Sequence, residues 1–89
     1  MRGFKESKDN NKILRNKDKE IVRRNNLALF KKAFDMQKKG KLNKAAEIYH
    51  KLIENNYRDE NVFINYATIC QYLRNTNNAV MLLKEAIKL

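Results

Sequence analysis

From Arg24 onward the apolar residues of this chain fall into four blocks at helical spacing, separated by short polar stretches. In the first block Leu27, Leu29, Phe30, Ala33, Phe34 and Met36 share helical intervals, while Lys31, Lys32, Lys38 and Lys39 hold polar positions. Gly40, free to take a positive φ, closes that helix. A second helix is expected from an N-cap at Asn43 to about Asn55, with Glu47 in its first turn and Ala45, Ile48, Tyr49, Leu52 and Ile53 on its apolar side. Asn55 to Asp59 reads as a turn. A third helix, opened by Asp59 or Glu60, carries Val62, Phe63, Ile64, Tyr66, Ala67, Ile69, Cys70, Tyr72 and Leu73, and is expected to be wet on almost no side. Arg74 to Asn77 forms the next turn, with Asn75 expected to take the left-handed conformation that Arg74 tolerates poorly. The last helix is expected from Asn77 or Asn78 onward.

Ahead of these blocks, Met1 to about Asn16 holds only Phe4, Ile13 and Leu14 as sizeable apolar residues beyond its first, too little to offset the entropy of ordering. The expectation is a largely disordered basic leader over residues 1–22, with early helical turns from Lys17 through Ile21 and Val22. A domain follows over residues 23–89.

The blocks repeat. An offset of 34 residues sets Leu29 on Phe63, Ala33 on Ala67, Met36 on Cys70, Ala45 on Ala79, Ile48 on Leu82 and Leu52 on Ala86. Small residues meet small and large apolar residues meet large, with Leu52 on Ala86 the exception in size. A period of this length marks helical hairpins that each bury an apolar face on the next.

The stretch Gly40-Lys41-Leu42-Asn43-Lys44-Ala45-Ala46-Glu47-Ile48-Tyr49, the crossing-point alanines Ala33, Ala45, Ala67 and Ala79, and the aromatic Tyr49 together resemble the tetratricopeptide repeat. The likeness covers Asn26 to Leu89, as one unit over residues 26–59 and an incomplete one over 60–89. Lys32 stands where that family usually has Leu, Arg74 replaces its second turn glycine, and Tyr57 replaces the proline that commonly ends a unit. The resemblance implies an all-α fold of four helices, stacked as a short right-handed solenoid, and a non-catalytic interaction module. It places a peptide groove on Leu27, Phe30, Phe34, Gln37 and Lys38 of the first unit and on Asn61, Ile64, Asn65, Thr68, Gln71 and Tyr72 of the second. One subfamily grips the carboxylate tails of chaperones. Here Phe30 and Phe34 occupy two of its clamp positions and only Asn65 agrees, which argues against that ligand.

Solenoids generally need about three units and a polar cap. Val80, Leu83, Ala86 and Ile87 therefore read as an exposed stacking edge on the last helix, to be covered by a partner, by a second copy in a homodimer, or by further repeats of a longer protein. The front of the chain looks like that of multi-repeat proteins of marine photosynthetic bacteria, which often carry a sulfotransferase-like or glycosyltransferase-like domain behind the array.

Charge adds a competing function class. The chain has 20 basic and 10 acidic residues, net +10, and +9 of that lies in residues 1–41. Such a front half suits a polyanion, with Lys31, Lys32, Lys38, Lys39 and Lys41 as the patch for nucleic acid. The accompanying wealth of Lys, Asn and Ile is also what an A/T-rich genome produces. A single cysteine fits a reducing compartment, and neither a signal peptide nor a run of about 20 apolar residues is present, so a cytoplasmic location is expected.

Candidate chemistry is sparse. His50 shares a face with Glu47 and Glu54, but one histidine and two exposed carboxylates read as a solvated face. Cys70 reads as core. Gly3 and Gly40 are too isolated to cradle a phosphate. The expectation is no enzyme, no metal and no cofactor.

Overall fold

The structure, a computed structural model, describes residues 16–89. It is all-α: helices α1 (Asn16–Lys38), α2 (Leu42–Glu54), α3 (Glu60–Tyr72) and α4 (Thr76–Ile87), with no strand among the described residues. Residues 1–15 of the expected leader lie outside the described residues. The domain start expected at residue 23 falls inside α1, which begins at Asn16. Its first turns are good helix formers, and Glu20 pairs with Arg23 at 2.8 Å and Arg24 at 4.0 Å across the helix surface.

α1 packs on α2, and α3 on α4, as two hairpins. α3 also lies on α2 and touches α1. Ala33 and Ala45 are fully buried between α1 and α2, and Ala67 and Ala79 between α3 and α4. A side chain larger than a methyl group at these points would hold the helix axes apart. The first core group joins Ala33, Ala45, Tyr49, Leu52, Val62 and Ile69, so it spans α1, α2 and α3. The second joins Ala67, Cys70 and Ala79, with Tyr66 and Leu82 packed against it.

The 34-residue period is written into the backbone hydrogen bonds. Gly40 N–H donates to Gln37 O at 3.0 Å and Lys41 N–H to Met36 O at 2.9 Å; one period later Arg74 N–H donates to Gln71 O at 3.0 Å and Asn75 N–H to Cys70 O at 2.7 Å. The first turn of each following helix is closed by Ala45 N–H on Lys41 O and, in the same register, Ala79 N–H on Asn75 O. Each α1 or α3 terminus is thus a Schellman cap, in which one left-handed residue returns two N–H groups to the last turn. Asn56 makes a third such cap at the end of α2, with N–H groups of Asn56 and Tyr57 on Ile53 O and Leu52 O.

These bonds correct several expected boundaries. Arg74, not Asn75, carries the positive φ (+63°), because it falls at the position that Gly40 (+81°) holds in the first unit. Asn75 serves as the N-cap of α4, accepting from Asn78 N–H at 3.4 Å, so α4 opens at Thr76 rather than at Asn77 or Asn78. Asn43 is no cap. α2 begins at Leu42 directly after the Schellman turn, its N-cap is Lys41, and no side chain bonds its first N–H groups. Asp59 does cap α3, accepting from Asn61 N–H at 2.8 Å.

α3 is wetter than its composition implied. Val62, Phe63, Ala67, Ile69 and Cys70 are buried between α2 and α4, but a third side is open, with Ile64, Thr68, Gln71 and Tyr72 exposed. A helix clasped by two neighbours keeps one face free.

Candidate functional site

The open face of α3 and the adjoining face of α1 form the candidate site. On α1, residues 27, 30, 34, 37 and 38 recur at three- and four-residue steps and share one side of the helix. Leu27 and Phe34 are exposed, and Phe30 and Gln37 are half-buried. The Phe30 and Phe34 rings stack nearly parallel, 6.4 Å apart, and Phe30 leans on Tyr49 of α2 at 6.0 Å. Lys38 places its ammonium 4.9 Å from the centre of the Phe34 ring. That contact holds a cation beside an exposed apolar surface.

Tyr49 ties the two faces together. Its side chain is fully buried, and its hydroxyl donates to Gln37 Oε1 at 2.8 Å and accepts from Asn65 Nδ2 at 3.3 Å. One phenol from α2 thereby links Gln37 of α1 to Asn65 of α3. Burial raises its pKa above the ordinary phenol value, partly opposed by the Asn65 bond.

Gln37, Lys38, Gly40, Leu42, Thr68, Ile69 and Tyr72 line an open depression of about 430 Å³ between the ends of α1 and α3. Four residues placed in the groove from sequence, Gln37, Lys38, Thr68 and Tyr72, are therefore brought together. Tyr72 is 78% exposed at its rim, and Thr68 spends its hydroxyl on Ile64 O at 2.9 Å. Leu27, Asn61, Ile64 and Gln71 are exposed but do not line this depression. Asn65 is half-buried and committed to Tyr49.

Of the basic patch, Lys31, Lys32, Lys38, Lys39 and Lys41 are all exposed. Asp35 lies within it, 3.1 Å from the Lys39 ammonium, so the patch is partly neutralised from inside. Of the stacking edge, Val80, Leu83 and Ile87 are exposed, but Ala86 is not. At 8% exposure it turns into the core, as its register partner Leu52 does at 0%.

His50 Nε2 lies 3.5 Å from Glu54, and no three His, Cys, Asp or Glu side chains among the described residues are grouped to hold a metal ion. Cys70 is buried, and burial pushes its thiol to higher pH, away from the thiolate that nucleophilic chemistry requires. No described helix is long and apolar enough to cross a membrane.

Two features were not among the expectations drawn from the sequence. Asn55 Nδ2 donates to Oδ1 of the buried Asn26 at 3.1 Å, which pins α1 to the end of α2. On the other side of the molecule α2, α3 and α4 enclose a second depression between Ile53, Phe63, Met81 and Leu82, bordered by Arg58, whose guanidinium sits 5.7 Å from the Phe63 ring centre. The only signal for Asn26 was its place seven residues before Ala33, on the buried side of α1.

No family model, no curated protein and no solved structure matches this chain.

Proposed function

We propose that this chain is a non-catalytic interaction module of the tetratricopeptide type, which takes a peptide segment along the α1 and α3 faces. The observation that carries this reading is the depression between Gln37, Lys38, Thr68 and Tyr72, drawn from helices 30 or more residues apart in sequence. Recurrence of the same cap bonds after 34 residues supports the family assignment independently of residue identity.

The chemistry of the site defines the ligand. Phe34 and Tyr72 are exposed aromatic surfaces, Lys38 adds a cation beside one of them, and Gln37 and Gln71 add amides. A segment with an aromatic or aliphatic anchor and a neighbouring carboxylate answers all of these. Adaptor duty in the cytoplasm is the role that follows. The same module could equally serve as the front of a longer enzyme of the sulfotransferase or glycosyltransferase kind without changing what the groove binds. Polyanion binding is the second reading, favoured by five exposed lysines and disfavoured by Asp35 among them.

The test is selection from a displayed library of random peptides on the wild-type chain and on Phe34→Ser/Tyr72→Ser. Enrichment of acidic sequences with an apolar anchor, lost in a double variant that keeps its helical circular dichroism, is the expected result. Enrichment of the same peptides by both proteins, or of none by the wild type, overturns it.

A further inference from the structure

The two ends of the helical array differ in kind. Residues Ala46, Tyr49 and Ile53 of α2 correspond, one period on, to Val80, Leu83 and Ile87 of α4. In α2 they are covered: Tyr49 is fully buried, and Ala46 and Ile53 are half-buried, in the core group that receives Val62, Tyr66 and Ile69 from α3. In α4 the equivalents are 45%, 38% and 84% exposed. All three remain large and aliphatic although no described helix lies over them. The face on which α2 takes up a helix is thus presented again, empty, by α4.

The opposite end is built otherwise. Val62, Asn65, Tyr66 and Ile69, the side of α3 turned toward α2, correspond to Ala28, Lys31, Lys32 and Asp35 of α1. These four are exposed, and three are charged. A second copy stacked head to tail would press Lys31, Lys32 and Asp35 onto Val80, Leu83 and Ile87, stripping water from charges that none of these three aliphatic side chains can meet. The charged end acts as a cap against filaments.

We propose that α4 is a self-association surface, on which α4 of a second copy lies across a two-fold axis to give a closed dimer. Charge geography favours this partner. Residues 42–89 carry a net charge of +1 and the described residues 16–41 carry +6, so pairing through α4, which does not touch α1, keeps these two basic segments at the far ends of the assembly. It also sets the direction of the helices. A parallel pair would lay Lys84 and Lys88 beside their own copies, whereas an antiparallel pair brings Lys88 next to the uncharged first turn Thr76–Asn78 and sets Leu83 against Leu83 near the axis. The dimer leaves the α1 and α3 faces free, so it stands or falls separately from the peptide groove.

Light scattering on the eluting protein, over concentrations up to about 1 mM, tests it. The expected species is twice the 10.6 kDa chain. Leu83→Glu/Ile87→Glu weakens the dimer by at least about a hundredfold, and Lys32→Glu leaves it intact. Leu83→Cys, which leaves helix and core undisturbed, cross-links to itself under mild oxidant, and Ala28→Cys at the charged end does not. A chain that stays monomeric throughout, a dimer indifferent to both α4 variants, or an open ladder of oligomers overturns the proposal.

Discussion

Arg74 adopts the left-handed backbone that Gly40 adopts 34 residues earlier, φ +63° against +81°, and each, together with the residue after it, returns the same pair of cap bonds to the helix before it. A residue with a Cβ pays for that conformation with a clash against its own carbonyl, roughly 1–2 kcal/mol. The turn is imposed by the packing of α3 on α4, and Arg74 submits to it.

Arg74→Gly is therefore expected to stabilise the chain by about 0.5–1 kcal/mol, the relieved strain exceeding the entropy that glycine loses on folding. Gly40→Ala is expected to destabilise by about 1 kcal/mol. Nothing lies within 4 Å of where its Cβ would stand, so that cost is backbone strain and not collision. Urea titrations followed by circular dichroism measure both, and equal midpoints for all three proteins would refute the shared cap.

The helix starts separate in the same way. Asp59→Ala removes the acceptor for Asn61 N–H and should cost about 0.5–2 kcal/mol. Asn43→Ala, at an exposed residue one position inside α2, should leave stability within about 0.5 kcal/mol of wild type. A larger loss at Asn43 than at Asp59 would contradict the observed boundaries.

Tyr49→Phe strips two bonds from a buried hydroxyl and leaves Gln37 and Asn65 without it, for an expected loss of about 1–2 kcal/mol. Chemical shifts of the Gln37 and Asn65 side-chain amides should move with it. Leu52→Ala, in the same core, should cost about 2–5 kcal/mol by leaving a cavity.

Alkaline pH acts on the same residue. Burial raises the Tyr49, Tyr57 and Tyr66 phenols above the ordinary 10.0 and the Cys70 thiol above 9.0. For each, the folded state holds its proton more tightly than the unfolded one. Stability is then full below the unfolded values and falls as pH rises from about 9 through the raised folded values. Melting temperature should decline over that range, less steeply in Tyr49→Phe. A flat profile above pH 10 would show that these groups ionise alike in both states.

Replacing Lys31, Lys32, Lys38, Lys39 and Lys41 by Gln should abolish nonspecific retention on a DNA or heparin matrix at low salt, and flatten the salt slope of any remaining binding. Peptide binding in the groove should weaken only through Lys38. Retention that survives all five replacements would place the polyanion surface elsewhere.

Helical spacing and the 34-residue offset were enough to place four helices, the alanine crossing points and the turn at Gly40, because each rests on local periodicity or on one residue's backbone freedom. They were also enough to bring Gln37, Lys38, Thr68 and Tyr72 to one region, since register in a repeat carries spatial meaning. What depended on three dimensions was lost to pattern. Ala86 is small enough to read as edge or as core, and only the packed structure shows it buried. Asn75 has the better intrinsic left-handed propensity, yet the cap geometry assigns that backbone to Arg74 and spends Asn75 on the next helix. The Tyr49 bridge between Gln37 and Asn65, and the bond between Asn26 and Asn55, join residues far apart in the chain, and no periodicity encodes which polar groups meet once the hairpins pack. By itself the amino-acid sequence determined the elements and their period, which are local properties. Which faces are sealed and which stay open was decided by tertiary packing, since burial depends on the neighbour a helix finds or lacks.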